Sequence, residues 1–173
     1  MKMKKIISKL FLINALIISP ISWASDSVNL NFIGNIKIAT CNISSGENIN
    51  VDLKNIPAAN FEKANSASSW NVFYIDFKNC STAINQIKLT FTGVSDTADP
   101  SSLYKNQGSA KNIAVQLENW TGTLKLGNQQ SLTVTLNGRT DINLGLRTRA
   151  FSPSGKGTPG TISAKVTANI VYL

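Results

Sequence analysis

No histidine occurs anywhere in the 173 residues. The usual general base near neutral pH is therefore missing, and with it any Ser-His-Asp arrangement. Cysteine is nearly as scarce, with two in the chain, Cys41 and Cys80. Two thiolates without an imidazole do not make an ordinary zinc site, so neither a metal nor a cofactor is expected. Charged residues amount to 15% and are dispersed. The closest carboxylates, Asp96 and Asp99, precede Pro100 in a stretch that reads as turn chemistry rather than as a catalytic pair. No glycine-rich loop leads from a strand into a helix, so phosphate cradling is not indicated. Lysine and arginine do not cluster among aromatics, which argues against a nucleic-acid partner. An enzyme is not expected.

Long apolar runs are also lacking, save one. Leu10 to Ile18 is apolar apart from Asn14; Lys2, Lys4, Lys5 and Lys9 surround its start, and Ser22-Trp23-Ala24 follows it. This is the layout of a cleavable export signal over residues 1–24, with Ser25 opening the mature chain. The run is shorter than the roughly 20 apolar residues of a membrane span, so no stable membrane insertion is expected. The formal charge of +8 falls on processing: 17 basic residues less the four leader lysines leaves 13 against 9 acidic ones, or +4. In an exported chain, two cysteines read as a disulfide. Closing a loop of about 40 residues would contribute roughly 4 kcal/mol in the chain-entropy account.

What the chain does have is alternation. Apolar residues recur every second position at Ile49-Val51-Leu53, at Ile87-Leu89-Phe91, at Ile113-Val115-Leu117, at Leu132-Val134-Leu136 and at Ile142-Leu144-Leu146. Val72 to Phe77 is a further strand leading to Cys80. Turn residues separate these segments, and Ser152 to Gly160 is a plain loop. Phe61 to Ser69, rich in Ala, Ser and Asn, reads as a surface loop. No helical period persists, and short strands at about 8–12-residue spacing predict an all-β sandwich of one domain. Trp70 and Trp120 are expected in its core, with sugar stacking as the sharper alternative.

Two alternating segments sit near the ends of the chain. Val28, Leu30, Phe32, Gly34 and Ile36 share one face of an extended strand. Ile162, Ala164, Val166, Ala168, Ile170 and Tyr172 do the same before Leu173. Such a pair suits a subunit that completes its neighbour.

On these residues the chain resembles fimbrial subunits of the chaperone–usher class, in particular type 1-like minor or adaptor pilins. VNLNFIGNIKIATC looks like a donor-strand extension running into the first pilin cysteine, Cys41. FYIDFKNC resembles the approach to the second, Cys80. FTG at 91–93, NIAVQLENWTGTLKLG at 112–127 and TPG followed by SAKVTANIVYL, with Gly160 fourteenth from the end and Tyr172 penultimate, follow in family order. One departure stands out: LGLRTRAFSPSG places Arg147 and Arg149 where the family often has aromatics.

The resemblance implies an incomplete immunoglobulin-like β-sandwich lacking its last strand and completed by donor-strand exchange. It divides the chain into a signal peptide (1–24), a donor-strand extension (25–37) and a pilin domain (38–173). Val28, Leu30, Phe32, Gly34 and Ile36 would be the donor face. Ile162, Ala164, Val166, Ala168, Ile170, Tyr172 and the carboxylate-bearing Leu173 would form the edge that meets a chaperone or the next donor. The implied partners are a periplasmic chaperone, an outer-membrane usher and neighbouring pilins, in a cell-surface fimbria reached through the periplasm. The alternatives are a tip adhesin, for which no room exists ahead of Cys41, and a self-contained secreted carbohydrate-binding or hydrolytic sandwich.

Overall fold

A computed structural model of the chain describes residues 39–173 and, ahead of them, Asn31, Ile33 and Gly34. The expected signal segment and Val28, Leu30, Phe32 and Ile36 lie outside the described residues. All the strands described below lie in the unit Lys37–Leu173.

Nine strands occur among the described residues: β1 (Asn42–Ile43), β2 (Ser66–Ala67), β3 (Asn71–Lys78), β4 (Gln86–Gly93), β5 (Leu103–Lys105), β6 (Ala114–Asn119), β7 (Ser131–Thr135), β8 (Ile142–Ser152) and β9 (Val166–Tyr172). The first sheet has the order β1-β3-β8-β6-β5, with β2 also on β8; the second has the order β7-β4-β9. All pairings are antiparallel. The 11-residue β8 is the spine of the first sheet. Its register with β3 (Phe73 opposite Leu146, Ile75 opposite Leu144) sets apolar pairs on the inner face. The inner faces of the two sheets share one core, in which Phe77, Leu146, Ile87 and Leu89 are fully buried. This is the all-β sandwich that the alternating segments predict, in the incomplete immunoglobulin-like form that the resemblance implies.

Three expectations are corrected. Ile49, Val51 and Leu53 lie on an unpaired segment rather than a strand, because the period of two reports alternation and not a partner. The supposed surface loop at 61–69 starts on the last residue of a 3-10 turn, Ala58–Phe61, contains β2, and buries Phe61 against Ala110, Ile113 and Ala150 in a second, smaller cluster. Neither tryptophan is in the core. Trp120 is 52% exposed, and Trp70 lies on the outside of the first sheet, with the guanidinium carbons of Arg147 and Arg149 at 4.2 and 4.1 Å from its ring centre. Those two arginines occupy the outward positions of β8, which leaves its inward positions apolar or small.

Candidate functional site: an open groove along the last strand

Among the described residues β9 has one neighbour. Its seven residues pair with β4, from Ile87 opposite Tyr172 to Gly93 opposite Val166, and among the described residues nothing pairs with its other edge. The effect on burial is direct. On β4, Ile87, Leu89 and Phe91 are 0%, 0% and 2% exposed. Their cross-strand partners Tyr172, Ile170 and Ala168 point to the same interior yet are only half-buried, as is Val166. A strand is missing on that side, so the sheet ends before its core is covered.

The uncovered space is a groove of about 1030 Å³. One wall is the run from Ile162 to Ile170, whose inward positions alternate larger and smaller side chains: Ile162, Ala164, Val166, Ala168, Ile170. The opposite wall is the segment 47–56, and the floor includes Phe73 and Ile75 of β3, Val115 and Leu117 of β6, and Leu146. Among the described residues, 47–56 makes no backbone–backbone hydrogen bond; its one local contact is the Lys54 amide donating to Asp52 Oδ1 at 2.8 Å. The free edge of β9 and the segment 47–56 thus flank an apolar floor with backbone groups that pair with no other described strand. Exposed backbone of this kind is a template for strand addition.

Both ends of the groove are tied. At one, Leu53 and Ile56 of one wall and Ile162 of the other pack on the Phe61 cluster. There the wall, no longer paired with β4, runs beside the loop 106–110: Gln107 donates to the Ser163 carbonyl at 2.7 Å and Ala110 to that of Thr161 at 3.1 Å. Gly160 begins this wall with φ of 155°, and a Cβ there would lie 2.4 Å from the Ala110 nitrogen, so only glycine passes. At the other end, a disulfide joins Cys41 to Cys80, and the Tyr172 hydroxyl reaches the Cys41 carbonyl at 3.4 Å. The Leu173 amide donates to the Gln86 carbonyl, and its own terminal oxygen accepts from the amides of Asn85 and Gln86 at 2.7 and 2.9 Å.

Tyr104 braces the floor. Its hydroxyl donates to the Leu126 carbonyl at 2.9 Å, and burial raises its pKa far above the ordinary phenol range. A Cβ on Gly93 would lie 2.8 Å from the Lys165 carbonyl and 2.9 Å from the Tyr104 ring. The glycine that closes the FTG stretch is what lets β9 and Tyr104 approach together.

The structure therefore places Ile162, Ala164, Val166, Ala168, Ile170 and Tyr172 on one half-buried face, as their spacing predicts, with Leu173 at its end and 54% exposed. The opposite wall was not identified from sequence as part of the site, although Ile49, Val51 and Leu53 carried its apolar signal. Of the donor face only Gly34 is described, and open space surrounds it. Asp96 and Asp99 serve turns: Asp96 accepts from the Ala98 amide at 2.9 Å and Asp99 from the Ser101 amide at 3.2 Å. Among the described residues no three His, Cys, Asp or Glu side chains gather as metal ligands.

A sandwich with one strand missing and its core open along that edge defines the class of pilus-forming subunits. The model of the family described as fimbrial protein matches residues 30–172, and the chain belongs to that family. It is 33% identical to the S-fimbrial adhesin protein SfaS of Escherichia coli O6:K15:H31 (strain 536 / UPEC) over 99% of both chains. It is 29% identical to the protein FimG of Escherichia coli (strain K12) over 91% of each. The fold is similar to that of a solved chaperone–usher pilus, with a TM-score of 0.65 at 19% identity, over 87% of this chain and 98% of that one. The protein is a structural subunit of a surface fimbria, with other fimbrial subunits as its partners, and its fold is like that of a chaperone–usher pilin.

Proposed function

We propose that the groove accepts an extended apolar strand, first from a periplasmic chaperone and then, at an outer-membrane usher, from the N-terminal extension of the next subunit. The observation carrying this reading is the loss of burial from β4 to β9 across one register. The wall from Ile162 to Ile170 offers five inward positions over nine residues, roughly 27 Å at ~3.4 Å per residue. Val28, Leu30, Phe32, Gly34 and Ile36 repeat that count and spacing, so this chain has the pattern to fill an equivalent groove in its neighbour. Strand addition satisfies main-chain groups on both walls while alternate side chains enter the core. Full burial contributes about 1.5–3 kcal/mol for each large apolar side chain. Residues 1–24 act as the export signal, 25–37 as the donor extension and 38–173 as the accepting domain. The role is assembly, not catalysis.

The test is expression of the chain from Ser25 with and without a cognate chaperone. A soluble 1:1 complex is expected with the chaperone, and aggregation or degradation without it. A stable monomer obtained alone would refute the reading.

A further inference from the structure

The outer face of the first sheet carries a feature unrelated to the groove. Tyr74 on β3 and Trp120, just beyond β6, are 43% and 52% exposed. Between them on β8 lies Gly145, directly opposite Tyr74. A Cβ at Gly145 would stand 3.3 Å from the Tyr74 ring and 3.4 Å from Trp120. Its absence lets both rings close over the strand, with centres 6.3 Å apart and planes inclined by only 29°. The two rings border a depression of about 360 Å³ whose lining also includes Asn119, Thr121 and Asn143.

No lining residue carries a charge. Nearby, Arg147 holds Glu118 at 2.7 Å, and the Asp76 carboxylate accepts a hydrogen bond from the neutral Asn143 amide. An anionic ligand would find no cation in the lining. A protein partner would need about 800 Å² of surface from each side, whereas the depression is at the small end of the range for small-molecule sites, about 300–1,000 Å³. The rim is arranged in advance: the Asn119 amide donates to the hydroxyls of Thr121 and Thr123 at 3.0 Å each, and its oxygen accepts from the Leu124 amide at 3.0 Å. Flat apolar rings beside neutral amides and hydroxyls match a ligand that is apolar on one face and hydroxylated around its edge.

We propose that Tyr74 and Trp120 form a binding site for a neutral hexopyranose, the bare face of the sugar lying on the rings and its hydroxyls meeting Asn119, Thr121 and Asn143. A galactopyranoside fits best, because its axial 4-hydroxyl points to one ring face and leaves the C–H groups of C3, C4 and C5 together with C6 as one continuous apolar patch on the other. The proposal is independent of how the groove is filled.

Saturation-transfer NMR on purified fibres, with methyl β-galactopyranoside as probe and methyl α-mannopyranoside as comparison, tests it. Transfer to the ring protons of the bare galactoside face is expected, and it should weaken about tenfold or more in Trp120→Ala or Tyr74→Ala fibres. Trp70→Phe fibres should keep it. Should either alanine variant fail to assemble, Thr121→Val removes one rim hydroxyl with little change in shape and should still weaken the signal. Transfer to neither glycoside would overturn the proposal. So would transfer that survives all these rim and ring changes, in which case the rings merely cover Gly145.

Discussion

Asp99 shows how much of this fold rests on single polar side chains at the turns. The hydroxyls of Ser102 and Ser101 donate to its carboxylate, and Lys125 stands 3.5 Å away. These contacts, Ser102 first, hold its pKa below the ordinary 3.8. The turn they fix delivers Leu103 and Tyr104 to the core: the amides of Ser102 and Leu103 donate back to the Asp99 carbonyl at 3.2 and 2.9 Å. A carboxyl whose pKa is lower in the folded state stabilises that state above its unfolded pKa. The contribution fades as pH falls through the folded value. Thermal unfolding of fibres between neutral pH and about pH 2 should therefore show an acid-side loss that is shallower in Asp99→Asn, itself less stable at neutral pH. Matching acid limbs in the two proteins would refute this account. Because the carboxylate is partly exposed, the effect should be modest.

At the scale of the element, the proposed exchange makes β9 and the donor segment complementary halves of one sheet edge, and each can be disabled separately. Phe32→Asp would carry a carboxylate into an apolar groove, where an unpaired charge costs several kcal/mol. Gly34→Leu would overfill a shallow position. Both variants should still form a chaperone complex with the disulfide intact, and neither should enter fibres. Ile170→Asp, on the receiving wall, should lose the chaperone complex as well. Co-purification and electron microscopy of the three variants separate these outcomes. Failure of Phe32→Asp to fold beside the chaperone would make 28–36 an ordinary core strand.

Elements of this kind differ in how far they could be read from sequence. β3, β4, β6 and β9 were legible because alternation against a solvated face writes a period of two. The wall at 47–56 carries the same period but no pairing, since a sheet neighbour is a tertiary fact. Phe61 was hidden among Ala, Ser and Asn, and only its proximity to Ala110 and Ile113 reveals a second core. Trp70 and Trp120 were misassigned for a related reason. Aromatic size favours burial on average, but strand parity decides the face. Here Arg147 and Arg149 on the outer face of β8 supply Trp70 with cation–π partners worth about 0.5–2 kcal/mol each.

For the whole molecule, the disulfide is the main covalent restraint. Cys41 and Cys80 are 39 residues apart, and their bond encloses the unpaired wall, β1, β2 and β3. Replacing both by serine should destabilise the domain by roughly 4 kcal/mol. That is a large share of the 5–15 kcal/mol typical of folded domains. Immunoblots should show poor accumulation of the double variant even with chaperone present; wild-type levels would mean that the sheets alone hold the wall in place.

The same bond governs how the subunit carries load. In a fibre assembled as proposed, tension would enter through the chain ahead of Cys41 and leave through the strand that fills the groove. Cys80 lies just beyond the end of β3 and 41 just ahead of β1, so the crosslink passes the force straight into the first sheet. The unpaired stretch at 47–56 is a covalent bypass that stays slack. At the other end the force runs along β9, whose seven pairs with β4 meet it in shear and must yield together rather than one at a time. Reduction would reroute the pull through the slack segment, so fibres treated with a thiol should lengthen at lower force than oxidised ones.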